Sequence, residues 1–176
     1  MSPDRSPPVA LETVRDSELW DALPGAEAIV ATAVGAAFAE ARLVCAPGAE
    51  LTVTLADDAS VRELNAKWRA VDKPTNVLTF PAVEPDETAD APMLGDVILA
   101  FETIAREAEE DGKPLADHVS HLVIHGVLHL FGHDHLEDEQ AEEMEAVERR
   151  ALARLGIADP YAGVDIEILT QPKATQ

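Results

Sequence analysis

The chain has 176 residues, a formal charge of −21 and an isoelectric point near 4.4. That length suits one domain burying its own core, and that charge excludes a large surface for phosphate-rich polymers or anionic membranes, so any such partner must meet a local basic exception. The single Cys45 excludes an internal disulfide framework and suits a reducing compartment, with the cytoplasm as the expected location.

In chain order, residues 1–8 read as a flexible polar tail with no basic-then-apolar leader, 9–168 as one folded domain and 169–176 as a loose end. Val9 to Val14 predicts a strand. Ser17 caps a helical region to about Arg42, with Pro24-Gly25 breaking its first turns. The longest apolar stretch, Ala28 to Ala39, lies in this region and falls well short of the roughly 20 residues of a membrane span, so no membrane partner is expected. LTVTL alternates so that Leu51, Val53 and Leu55 share a core-facing side of a strand. Asp57 or Asp58 then caps a short helix to about Trp68, with Val61, Leu64 and Trp68 at helical spacing.

Pro74 and Pro81 bracket TNVLTF, a short strand, because proline is tolerated at strand boundaries. An acidic loop over 82–92 leads to Leu94 to Phe101, a nearly continuous apolar run expected of a strand buried on both faces. A helix follows over 102–110, Asp111-Gly112 interrupts it, and Pro114 opens the next helix at its first position. The last helix runs from about Glu137 to Leu155 with Met144, Val147, Ala151 and Leu155 on one face. Its acids come first and Arg149, Arg150 and Arg154 last, and Gly156 stops it. This order predicts an α+β domain with helices packed on a small mixed sheet.

All six histidines lie between positions 118 and 135. On a helix, positions four apart are separated by only about 40°, so His125 and His129 project from one face. Gly132 can adopt the left-handed conformation that ends a helix and turns His135 back toward them. Three imidazoles with an open fourth position suit one zinc ion or another divalent transition metal. The result is a zincin-like three-histidine site on a helix and the following turn. The same spacing occurs in metzincin proteases, where a glutamate follows the first ligand. Gly126 stands in that place, so the usual base of peptide hydrolysis is missing.

His118 and His121 either line the cleft and support the ligands or are structural. Asp134 either orients a ligand imidazole or caps the next helix. Arg62, Lys67, Arg69 and Lys73 gather four of the thirteen basic residues. They form either a solvated helix flank or the local exception to the acidic surface.

The segment HGVLHLFGHDH, His125 to His135, closely resembles the metal signature of the YbeY family of bacterial endoribonucleases. LNAKWRAVDKPTNVLTFP, Leu64 to Pro81, is similar to a second block of that family, and Leu94 to Glu109 is also similar. Asn76, Thr79 and His133 stand where the family usually has Asp, Ser and Tyr. The resemblance implies that His125, His129 and His135 are the metal ligands and that Arg69 is the family's functional arginine. It implies a single-strand-specific, metal-dependent endoribonuclease acting in ribosomal RNA maturation and ribosome quality control, with RNA precursors as substrate. The small ribosomal subunit or assembly proteins are possible partners.

The chemistry expected of such a site is phosphodiester hydrolysis, the metal acting as Lewis acid and lowering the pKa of a water. Attack by the RNA 2′-hydroxyl is the alternative. Arg69 would meet the phosphoryl oxygens, with Arg62, Lys67 and Lys73 as RNA-facing neighbours. Two other readings stand beside this one: a metal-binding ribosome-assembly factor with little turnover, and a zincin-like hydrolase of another substrate.

Overall fold

The computed structural model describes residues 8–134 and 136–161. Four strands, β1 (Ala10–Arg15), β2 (Glu50–Ala56), β3 (Val77–Pro81) and β4 (Met93–Ala100), form one sheet in the order β1-β2-β4-β3. β1 and β2, and β2 and β4, run parallel, while β3 is antiparallel to β4. This is the small mixed sheet expected from the sequence.

Five helices surround it: α1 (Ala26–Ala41), α2 (Asp58–Arg69), α3 (Phe101–Glu110), α4 (Leu115–Leu130) and α5 (Asp138–Arg154). The alternation of β2 puts Leu51, Val53 and Leu55 in the main core, all fully buried. β4 is buried on both sides. Its Val97 and Leu99 join the core with α1, α4 and α5, while Ile98 and Ala100 join the smaller cluster under α2.

The expected helical region from Ser17 divides in two. Ser17 accepts a hydrogen bond from the Leu19 N–H at 3.2 Å, which caps a 3₁₀ turn over Glu18–Ala22. The turn buries Trp20, whose indole N–H donates to the Ala56 carbonyl. α1 then starts anew from Gly25. Pro114 is the extended residue before α4, φ −60° and ψ 142°, one place earlier than expected. Glu137 occupies the cap position of α5. Trp68 departs from the expected apolar face and is 63% exposed. No helix among the described residues is long and apolar enough to cross a membrane. The expected boundaries at 8 and 168 fall partly outside the described residues.

The β3 edge matters for the site. Ala100 donates to the Asn76 carbonyl and Ala82 to the Leu94 carbonyl, so alternate positions of β3 face β4 while the backbone groups of Val77, Thr79 and Pro81 turn to the open edge. Proline is tolerated there because no ladder bond is lost.

Candidate active site

Four of the six histidines, His118, His121, His125 and His129, lie on α4. Their spacing of three, four and four residues stacks them along one side of the helix. Ring centroids are 6.4, 6.3 and 4.5 Å apart in that order. The last pair brings His125 Nε2 and His129 Nε2 to 3.0 Å. That is a hydrogen-bond separation, and it is close to the roughly 3.3 Å between two nitrogens bound to one tetrahedral zinc.

Glu148 reaches this row from α5. Its carboxylate is 1% exposed and faces His125 Nδ1 at 3.2 Å and His121 Nε2 at 2.8 Å, and it accepts from the Tyr161 hydroxyl at 2.9 Å. An ionised carboxylate only accepts, so His125 Nδ1 carries its proton and Nε2 presents a lone pair toward His129. Metal-binding histidines characteristically carry such a partner on the second nitrogen.

Burial pushes the Glu148 carboxyl up, but the bonds from His121 and His125 outweigh it and hold the group well below the usual carboxylate range. Burial also dominates at His121, and despite Glu148 its pKa falls below the ordinary value. The contact is therefore a neutral imidazole donating to an anion. His121 Nδ1 is buried with no partner among the described residues, as befits the bare lone pair of that tautomer. Tyr161, half-buried and beside the Glu148 charge, has its pKa raised by desolvation and by that charge and stays a neutral donor.

Just beyond the end of α4 the chain turns at Gly132, φ 93°, where the Gly132 N–H bonds to the His129 carbonyl and the His133 N–H to that of Leu128. This is the left-handed stop expected of the glycine. A Cβ there would lie 2.7 Å from Pro85 Cβ, so the turn also packs closely on the acidic loop. His135 lies outside the described residues. Among the described residues no three His, Cys, Asp or Glu side chains assemble into a metal-holding group.

Gly126 packs on the sheet. A Cβ at this position would sit 2.8 Å from Val97 Cγ1 and 3.3 Å from Thr79 Cγ2. There is no space for the glutamate that a protease of this spacing carries.

Arg69 comes from the last turn of α2. Its Nη2 donates to the Thr79 carbonyl at 2.8 Å, and its guanidinium lies 5.6 Å from the centre of the Phe80 ring. Thr79 is thus the bridge: its outward carbonyl holds Arg69 while its methyl meets α4 at Gly126, next to His125.

The other basic residues each have contacts of their own. Arg62 pairs with Asp72 through contacts of 2.9 and 3.3 Å, and Lys67 lies 5.1 Å from the centre of the Trp68 ring. Lys73 lines a cleft of 180 Å³ with Asn65, Thr75, Asn76 and Glu107.

In that cleft Asn76 Nδ2 donates to Glu107 at 3.0 Å, and His118 Nε2 contacts the same carboxylate at 2.8 Å. An aspartate at position 76 would face Glu107 as a second negative charge; the amide supplies a donor instead. Burial pushes Glu107 up, yet the bonds from His118 and Asn76 prevail and lower its pKa.

Sequence reasoning passed over Glu148, Glu107 and Tyr161. Glu148 left a trace, since it stands between Val147 and Ala151 on the apolar stripe of α5, where an acid is out of place without a buried partner.

The family model described as endoribonuclease YbeY matches residues 23–156. A protein named endoribonuclease YbeY from Rhodopseudomonas palustris strain BisA53 is 53% identical over 161 residues, covering 90% of this chain and 93% of that one. One of the same name from Bradyrhizobium diazoefficiens is 52% identical over 83% of this chain and 81% of its own length. Another from Azorhizobium caulinodans is 51% identical over 86% and 96%. A solution structure from Thermotoga maritima aligns with a TM-score of 0.47 at 24% identity, covering 85% of this chain and 97% of that one. The sequence relatives place the chain among the endoribonucleases. It belongs to the YbeY family.

Proposed function

We propose that this endoribonuclease cleaves single-stranded RNA at a centre where His125, His129 and His135 hold one zinc ion or another divalent transition metal and Arg69 contacts the phosphate. The observation that carries the reading is the 3.0 Å approach of His125 Nε2 and His129 Nε2, with Glu148 on His125 Nδ1. When bound, the metal supplies Lewis-acid polarisation and a water acidic enough to ionise near neutral pH.

The remaining work falls to the chain's own groups. Glu148 fixes the tautomer and orientation of His125, and His121 and Tyr161 complete the bonding of that carboxylate. Arg69 spends one of its N–H donors on Thr79, which orients the fork, and the guanidinium suits developing charge on phosphoryl oxygens. Gly126 keeps α4 against the sheet and withholds a carboxylate base from the reacting phosphate. Lys67 and Lys73 are secondary RNA contacts, and Arg62 contributes less because Asp72 neutralises it. Asp134 supports a ligand imidazole from within the turn.

An endoribonuclease role in ribosomal RNA processing comes with family membership. In this proposal residues 9–168 form the catalytic domain, precursor ribosomal RNA is the substrate, and the small ribosomal subunit or its assembly proteins present it in the cytoplasm.

The test is cleavage of ribosomal RNA precursors by highly purified wild type, Arg69→Ala and His129→Ala proteins. Removing a group that stabilises transition-state charge should lower the rate by about 10²- to 10³-fold. Equal activity in all three would identify a contaminating nuclease and overturn the assignment. Elemental analysis after dialysis should find metal in wild type and little in the His125→Ala, His129→Ala double variant; full occupancy in the latter would refute the ligand set.

A further inference from the structure

Val61 and Leu64 precede Trp68 at helical spacing, yet Val61 is fully buried and Trp68 is 63% exposed. The apolar bed under α2 explains the difference. It consists of Ala56, Val61, Leu78, Ile98 and Ala100, with Leu64 and Phe80 at its margin. Arg69, not Trp68, lies over the Phe80 ring. The last turn of α2 therefore carries an indole with no core to join. Among the large hydrophobic residues that are exposed in the described part of the chain, it is the one aromatic.

Its neighbours narrow what can cover it. Lys67 Nζ stands 5.1 Å from the ring centre, and Arg69 follows directly in sequence. On a chain of net charge −21 a lysine ammonium beside an exposed indole is a local basic exception, with the Arg69 guanidinium next door over the Phe80 ring, and it favours an occupant that is itself aromatic and anionic. An RNA strand offers both.

We propose that Trp68 is a stacking platform for one unpaired nucleobase of the RNA substrate, with Lys67 and Arg69 taking phosphates on either side of it. An indole face accepts any base, so the contact adds affinity with little sequence preference. It requires a base free to leave its helix, so it favours single strands over duplexes. The proposal rests on the placement of Arg69 at the substrate phosphate and adds the contact beside it.

The chain has two tryptophans, and Trp20 is fully buried with its N–H bonded to Ala56. Solvent-exposed tryptophan emission therefore reports Trp68. Single-turnover stopped-flow mixing of the metal-loaded enzyme with a short single-stranded RNA should quench that emission before product forms, and a duplex of the same sequence should not. Trp68→Ala should weaken single-strand binding by about 5- to 150-fold, and Trp68→Phe should recover most of it. Replacing one nucleotide at a time by an abasic one should weaken binding to wild type at one position and leave binding to Trp68→Ala unchanged there. Far-UV circular dichroism and an unchanged urea midpoint check that the variants keep the wild-type fold.

Wild-type binding by Trp68→Ala, with cleavage lost in Arg69→Ala, overturns the platform and leaves the ribonuclease reading standing. Loss by Trp68→Ala only on ribosomal particles, with naked RNA bound normally, assigns the indole to a protein partner and also overturns it. Weak binding by Trp68→Ala with full cleavage by Arg69→Ala keeps the platform and removes Arg69 from the phosphate.

Discussion

Gly126 sets how closely α4 can approach the sheet, because its missing side chain is what lets the helix lie on Val97 and Thr79. Gly126→Val should lower stability by about 1–3 kcal/mol through overpacking against a stiff, β-branched neighbour, read as a lower urea midpoint at unchanged slope. Unchanged stability would show that the seam has room. Glu148→Gln keeps the shape but removes the charge that holds His125 Nδ1–H, and should weaken metal binding by about 10- to 100-fold in competition with a chelator. An unaltered affinity would leave Glu148 with a purely structural part. The two sites differ in how far the sequence revealed them. The histidine pair was legible because helical geometry alone sets a spacing of four. Glu148 was not, because its partners lie 23 and 27 residues away and meet it only once α5 is laid against α4. Trp68 misled for a related reason, since periodicity gives the direction of a side chain but not the extent of the surface beneath it.

At the scale of elements, the sequence marked the strands and helices well because alternation, caps and prolines act locally. It did not disclose the order β1-β2-β4-β3, which depends on pairings between distant segments. Nor did it disclose the ties between elements, of which Glu107 is the clearest: from α3 it accepts from Asn76 at the start of β3 and contacts His118 on α4. Its pKa is lower in the folded chain than its ordinary value of 4.5. The stabilisation is therefore present above that value and is lost as pH falls through the lower folded-state pKa. Glu107→Gln should flatten the acid limb of the stability–pH curve, measured by urea unfolding between neutral pH and about pH 3. An acid limb equal to that of wild type would mean that the tie contributes no pH dependence.

For the whole molecule the dominant fact is the charge of −21. Self-repulsion on this scale opposes the compact state, so moderate neutral salt should raise the thermal midpoint by screening it. A midpoint insensitive to salt would show that the charges are already locally compensated. RNA binding should respond in the opposite sense, weakening as salt rises, with a shallower slope once Lys67 and Arg69 are neutralised. The open side of β3 has a consequence at this scale too. The Val77 N–H is taken by the Asn76 side chain, the Thr79 carbonyl by Arg69, and Pro81 has no N–H to offer. A strand with part of its outward groups occupied or missing is a weaker template for a second chain. The Arg69 bond to Thr79 covers one of these groups, so Arg69→Ala should scatter more light as its concentration rises; scattering equal to that of wild type would show that the bond plays no part in keeping the edge unpaired.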